Sequence, residues 1–157
     1  MILPQILSKE EAESLEQLVG GAQRIVIVCH TNPDGDAIGS MAAMTLLLQR
    51  LGKAVTAVAP NPFPDFLRWL PTAKDILLAD RHQKSIDAAL SSADLVMLLD
   101  FNTMGRLGEQ LGGMVEACEA PRVMIDHHID PDTPCQLVVS RPDLCSTCEL
   151  LLRIMID

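Results

Sequence analysis

Apolar residues fall along the chain in short unbroken runs, separated by longer stretches with helical spacing. Arg24–Cys29 (RIVIVC), Ala54–Ala59 (AVTAVA), Asp94–Asp100 (DLVMLLD) and Arg122–Asp126 (RVMID) lack the alternation of a half-exposed strand. They read as strands covered on both faces, the pattern of a parallel sheet. Gln136–Val139 reads as one more strand, and Asp75–Ala79 is a weaker candidate. Between them lie helical segments. Ser8 and Glu11 form a capping box opening a helix that runs to Val19 and closes at Gly20-Gly21. Ala37–Leu51 is stopped by Gly52, and Gln83–Ser91 and Leu107–Cys118 follow, the latter weakened by Gly112-Gly113. Ser146 opens the last helix, with a second capping box to Glu149. The alternation predicts an α/β fold: a doubly wound, mainly parallel sheet of five strands with helices on both faces.

Two segments stand apart. Pro60–Pro71 carries Phe63, Phe66 and Trp69 and is expected to be a connector whose aromatics plug the edge of the core, with a ligand platform as the alternative. Leu150–Ile156 is apolar almost all round, which calls for burial on several sides, yet the chain stops at Asp157 without a helix-ending residue. The expectation is that covering structure is missing, and that exposed apolar surface promotes self-association, a homodimer being one such assembly.

With 157 residues, 48% of them hydrophobic, the chain is the size of one domain and too apolar for disorder. A formal charge of −9 excludes a long nucleic-acid-binding face from this chain alone. Aromatic content of 3%, with no Tyr, argues against a sequence-tolerant single-strand platform. No apolar stretch reaches membrane-spanning length and Met1–Leu7 lacks signal-peptide character, so a cytoplasmic location with no membrane partner is expected. The five cysteines, 29, 118, 135, 145 and 148, are expected to be free thiols.

In open parallel sheets the ligand crevice lies beyond the carboxyl ends of the strands. His30, Asp34 and Asp36 follow the first run, Asp100 ends another, and Asp126, His127 and His128 end a third. Carboxylates and imidazoles without thiolate suit Mn²⁺, Fe²⁺, Co²⁺ or Zn²⁺, and the set exceeds the need of one ion. A two-metal site follows: ions ~3.5–4 Å apart can share a bridging carboxylate, activate water and clamp the oxygens of a phosphoryl displacement. Two M²⁺ would take the formal charge from −9 to −5 and concentrate positive charge where a small phosphate ester binds. Asp94, Asp130 and Asp132 fit ordinary turn or cap roles, and His82 is expected to face solvent.

The segment His30-Thr-Asn-Pro-Asp34-Gly-Asp36-Ala-Ile-Gly-Ser40, then Asp100 in Leu-Leu-Asp-Phe-Asn, then Asp126-His127-His128, resemble in order and spacing the first three motifs of the DHH phosphoesterase superfamily. Within it the chain looks most like the NrnA branch, oligoribonucleases that also dephosphorylate 3′-phosphoadenosine 5′-phosphate (pAp); Ser146-Thr147-Cys148-Glu149 resembles that branch's Ser-Thr-Ser-Glu stretch. The resemblance implies a Mn²⁺-dependent phosphodiesterase or phosphomonoesterase acting on very short RNA and nucleotide phosphates. It implies that His30, Asp34 and Asp100 hold one divalent ion and Asp36, Asp100 and His127 the other, with Asp100 bridging. His128 would face the scissile phosphate, Asp126 would orient a neighbouring group, and Asn102 and Arg106 follow Asp100 closely enough to reach substrate. A further motif Asp and a DHH-associated substrate-binding domain, which follow in the family, do not occur before Asp157, so residues 1–157 are expected to be a DHH domain cut short. Cys145-x-x-Cys148 is expected to be small-residue packing rather than half a zinc site or a redox pair. Three alternatives remain open: a cyclic-dinucleotide phosphodiesterase, a pyrophosphatase, and a non-catalytic metal- or nucleotide-binding module.

Overall fold

A computed structural model describes residues 5–156. Six strands, β1 (Arg24–Val28), β2 (Ala54–Ala59), β3 (Leu77–Leu78), β4 (Leu95–Leu99), β5 (Arg122–Asp126) and β6 (Leu137–Ser140), form one sheet in the order β3-β2-β1-β4-β5-β6. Every neighbouring pair is parallel. The expected five-stranded, mainly parallel sheet is thus corrected to six wholly parallel strands. The extra one is the remnant of the candidate at 75–79: Asp75 belongs to a 3₁₀ turn, Ala73–Asp75, leaving two residues to pair with β2.

The unbroken apolar runs have a direct cause. Ile25 and Ile27 of β1, with Leu95, Met97 and Leu99 of β4, enter one core with α2 (Gly35–Arg50) and α5 (Thr147–Ile156). Helix α1 (Lys9–Gly21) packs on the same core through Leu15, Leu18 and Val19. Val26 and Val28, with Val96 and Leu98, enter a second core under α3 (Gln83–Ser91) and α4 (Gly108–Glu116). A strand between two cores has no polar face to alternate.

Local chemistry sets the helix ends. Both halves of the first capping box form: Glu11 N–H donates to Ser8 Oγ at 3.1 Å, and Ser8 N–H to Glu11 Oε2 at 2.8 Å. The second forms by half, since Ser146 Oγ accepts from Glu149 N at 3.0 Å while the Glu149 carboxylate turns to the Cys145 amide. The segment expected to be helical over 107–118 is a 3₁₀ turn, Met104–Leu107, followed by α4. His82 is exposed as expected, and its Nδ1 also accepts the Leu78 N–H at 2.9 Å.

Of two expectations about apolar side chains, the aromatic plug fails in part and the exposed apolar surface on the last helix is present. Phe63 is buried, but Phe66 and Trp69 are 73% and 77% exposed, because the connector turns through a 3₁₀ helix, Asp65–Leu67, that buries only Leu67. Helix α5 is covered on one side: Leu150 and Leu151 are buried against α2 and β5, while Leu152 and Ile156 are exposed. No described helix is long and apolar enough to cross a membrane.

The strand order reverses direction between β1 and β4, the topological switch point at which crevices open in such sheets. His30 follows β1 and Asp100 follows β4, so the two lie at that point.

Candidate metal centre

Three loops and one helix end build the site. After β1, Asp34 caps α2, its Oδ1 accepting from the Asp36 and Ala37 amides, both at 3.0 Å. Asn32, at φ +51°, exchanges two 2.8 Å hydrogen bonds with Asn61 beyond β2, which fixes the loop. His30 donates Nδ1–H to the Thr31 carbonyl at 2.7 Å and turns Nε2 toward Asp100 Oδ2 at 3.4 Å and Asp34 Oδ1 at 3.8 Å.

Asp100, at the end of β4, is 1% exposed and holds a left-handed backbone with φ +66°. Its carboxylate is divided: Oδ2 faces His30, and Oδ1 faces His127 Nε2 at 3.7 Å. After β5, His127 places Nδ1 on the Leu144 carbonyl at 3.3 Å and Nε2 3.5 Å from Asp36 Oδ2. Asp126 is fully buried and accepts twice from His128, from the backbone N–H at 3.0 Å and from Nδ1 at 2.7 Å. All three imidazoles thus commit Nδ1 to an oxygen acceptor, and His30 and His127 turn Nε2 toward the carboxylates, the orientation that metal-binding histidines require.

The amino end of α5 closes the group. The Thr147 and Cys148 amides donate to Asp36 Oδ2 and Oδ1, each at 2.8 Å, and Thr147 Oγ1 donates to Asp100 Oδ1 at 2.8 Å. Burial pushes the Asp100 carboxyl above its ordinary range, with the charge of Asp36 adding to the effect and His30 opposing it. Asp36 goes the other way: burial raises it, but the Cys148 and Thr147 amides outweigh that and hold it low. His30 is raised by the Asp100 carboxylate against the effect of burial.

This donor set fits divalent ions. Two donors each ~2.1 Å from one ion and roughly 100° apart are about 3.2 Å from each other. The imidazole–carboxylate separations here, 3.4 to 3.8 Å, are long for hydrogen bonds and close to that spacing. Ligand atoms of His30, Asp34 and Asp100 lie within 4.8 Å of one another, as do those of Asp100, His127 and His128. Asp100 belongs to both groups, and buried like charges beside Asp36 call for a cation.

The other anticipated residues sort differently. Asn102 Nδ2 donates to the Ile129 carbonyl at 2.7 Å, and the Asn102 carbonyl accepts from Asp132 N at 2.9 Å. Its side-chain amide therefore holds the loop after His128. Arg106 is half-buried in the 3₁₀ turn, near enough for its charge to oppose protonation of His30. Asp94 is a structural latch that accepts from the Gln23 and Arg24 amides. Cys148 Sγ lies 3.4 Å from Ser40 Oγ, and burial pushes its thiol up to about 12; Cys145 is exposed, and both are free. Small-residue packing thus describes Cys148 and not Cys145. The residue that sequence reasoning left without a role is Thr147, although its stretch was in view; nothing in its spacing indicates contact with Asp36 and Asp100, 111 and 47 residues away.

Comparison with known proteins shows the family and the fold. A model of the DHH family, N-terminal domain, matches residues 24–156. The chain is 33% identical over 104 residues to the bifunctional oligoribonuclease and PAP phosphatase NrnA of Thermus thermophilus, a match covering 66% of this chain and 28% of that one. An exopolyphosphatase-related protein from Bacteroides fragilis superposes with a TM-score of 0.95 at 38% identity, over 98% of this chain and 45% of that one. Exonuclease RecJ bound to manganese shares the fold, with a TM-score of 0.56 at 20% identity, over 98% of this chain and 38% of that one. The chain therefore spans less than half the length of these relatives.

Proposed function

The chain belongs to the DHH family, whose N-terminal domain it carries, and from that premise we propose that it is a metal-dependent phosphoesterase of very short oligoribonucleotides and of pAp. The observation that carries the reading is the divided Asp100 carboxylate, one oxygen toward His30 and the other toward His127, at the switch point of the sheet. His30, Asp34 and Asp100 would hold one divalent ion; Asp36, Asp100 and His127 would hold a second. Mn²⁺, the ion bound to the RecJ relative, is the proposed metal. Bound there, such ions supply charge that offsets the phosphoryl oxygens and raises the acidity of an attacking water.

The chain's own residues do the rest. The buried Asp126 carboxylate, accepting from His128 Nδ1, fixes the ring so that Nε2 can hold a proton against the departing oxygen. Arg106, beside His30, offers a guanidinium to a substrate phosphate. An open groove of about 570 Å³ at Asn32 and Pro33 of the first-motif loop, lined also by Phe63, Arg68 and Arg81, is a surface along which a nucleotide could lie. The NrnA relative, named for oligoribonuclease and PAP phosphatase activity, supports this choice of substrate.

The test is hydrolysis with Mn²⁺ of four substrates side by side: pAp, a 5′-phosphorylated dinucleotide, a cyclic dinucleotide and pyrophosphate. Turnover of the first two is expected, with a loss of at least ~100-fold in Asp100→Ala. Activity that survives this change sinks the two-metal reading. Faster turnover of the cyclic dinucleotide or pyrophosphate reassigns the substrate, and metal uptake without turnover of any of the four leaves a binding module.

A further inference from the structure

We propose that Thr147 is a positioning residue of this centre: its hydroxyl locks the Asp100 carboxylate in the orientation that divides its oxygens between the His30 and His127 sides. The role rests on the metal-dependent reading above and adds to it a residue outside the three motif loops. Thr147 is fully buried, and it touches both acidic groups at once, with Oγ1 2.8 Å from Asp100 Oδ1 and the backbone N 2.8 Å from Asp36 Oδ2. A hydroxyl carries one proton, so donating it to Oδ1 selects one rotation of the carboxylate and keeps Oδ2 toward His30. Asp36, by contrast, is held by two amides that no side-chain substitution removes. The helix itself is anchored elsewhere, through buried Leu150 and Leu151. Thr147 thus gives side-chain control of Asp100 alone.

The test is Mn²⁺ binding, followed by the paramagnetic resonance of the free ion, on wild type, Thr147→Val, Thr147→Ser and Thr147→Ala, beside thermal unfolding without metal. Valine keeps the shape and removes the donor, and its affinity should fall ~10–100-fold, the usual cost of losing a group that orients a ligand. Serine restores the donor and should bind close to wild type. Equal affinity in wild type and Thr147→Val, with both folded, overturns the role while leaving the metal reading intact. Should Thr147→Val fail to fold, the serine and alanine variants decide: serine tighter than alanine supports the role, and equal affinities overturn it. If wild type takes up no Mn²⁺, the metal-dependent reading falls first and the positioning role with it.

Discussion

A Cβ placed on Gly39 would lie 2.9 Å from Cys148 Sγ, closer than side chains tolerate, so α2 and α5 meet there because one of them carries no side chain. The contact matters because the Cys148 amide holds Asp36, and Cys148 Sγ also approaches the Asp36 carbonyl at 3.4 Å. Gly39→Ala should destabilise by about 1–2 kcal/mol, the overlap outweighing the helix-propensity gain of ~1 kcal/mol. In a Cys148→Ala background the overlap is gone and the same change should become neutral or stabilising. Urea unfolding of the four-member cycle checks the sign reversal, and additive effects would show that the contact is slack. At this scale the sequence was legible where spacing carried the chemistry: His30, Asp34, Asp100 and His127 could be named because each follows an apolar run. Thr147 could not, since its meaning lies in a bond to a residue 47 positions away.

Helix α1, which packs beside β6, is also tied to that edge of the sheet by a polar link. Arg141, just past β6, donates to Glu11 and to the Ile6 carbonyl, and Glu11 at the same time completes the capping box with Ser8. Partial burial raises the Glu11 pKa, but the hydrogen bonds from Arg141 and the Ser8 amide outweigh it, so the group titrates below its ordinary 4.5. A depressed carboxyl contributes stability that is present above 4.5 and lost as pH falls through the folded value. Glu11→Gln should therefore cost about 0.5–1 kcal/mol at pH 7, a figure kept small because the pair is solvent-screened, and nothing once Glu11 is protonated. Denaturant midpoints of both proteins, followed from pH 7 downward through 4.5 and below, test this; a difference that does not shrink as the pH falls assigns the effect to packing. Elements with their own end signals, such as α1, were legible in full. Strand β3 was not, because two residues are too short for any periodicity, and the exposure of Phe66 and Trp69 depends on a turn geometry that a proline-rich stretch leaves open.

At the scale of the whole molecule, the fold gathers Asp34, Asp36, Asp100 and Asp126 of a chain with formal charge −9 at one edge of its sheet. The charge of Asp36 adds to the cost of ionising Asp100, which is almost fully buried. Without a cation this arrangement works against folding, and with one it works for it. Asp100→Asn separates the two conditions. Asparagine keeps an oxygen for Thr147 and tolerates the left-handed backbone at φ +66°, so the change removes charge with little else. Metal-free Asp100→Asn should melt above metal-free wild type. Mn²⁺ at 100 times its dissociation constant should stabilise wild type by ~2.7 kcal/mol, a rise of roughly 5–10 °C for a chain of this length, and leave Asp100→Asn unmoved. Paired thermal scans with and without Mn²⁺ read both effects. A variant that is less stable without metal would show that Asp100 is held mainly by favourable bonds rather than as a buried charge awaiting its ion. Equal Mn²⁺ shifts in both proteins would place the ion away from Asp100, and with it the chemistry away from the switch point.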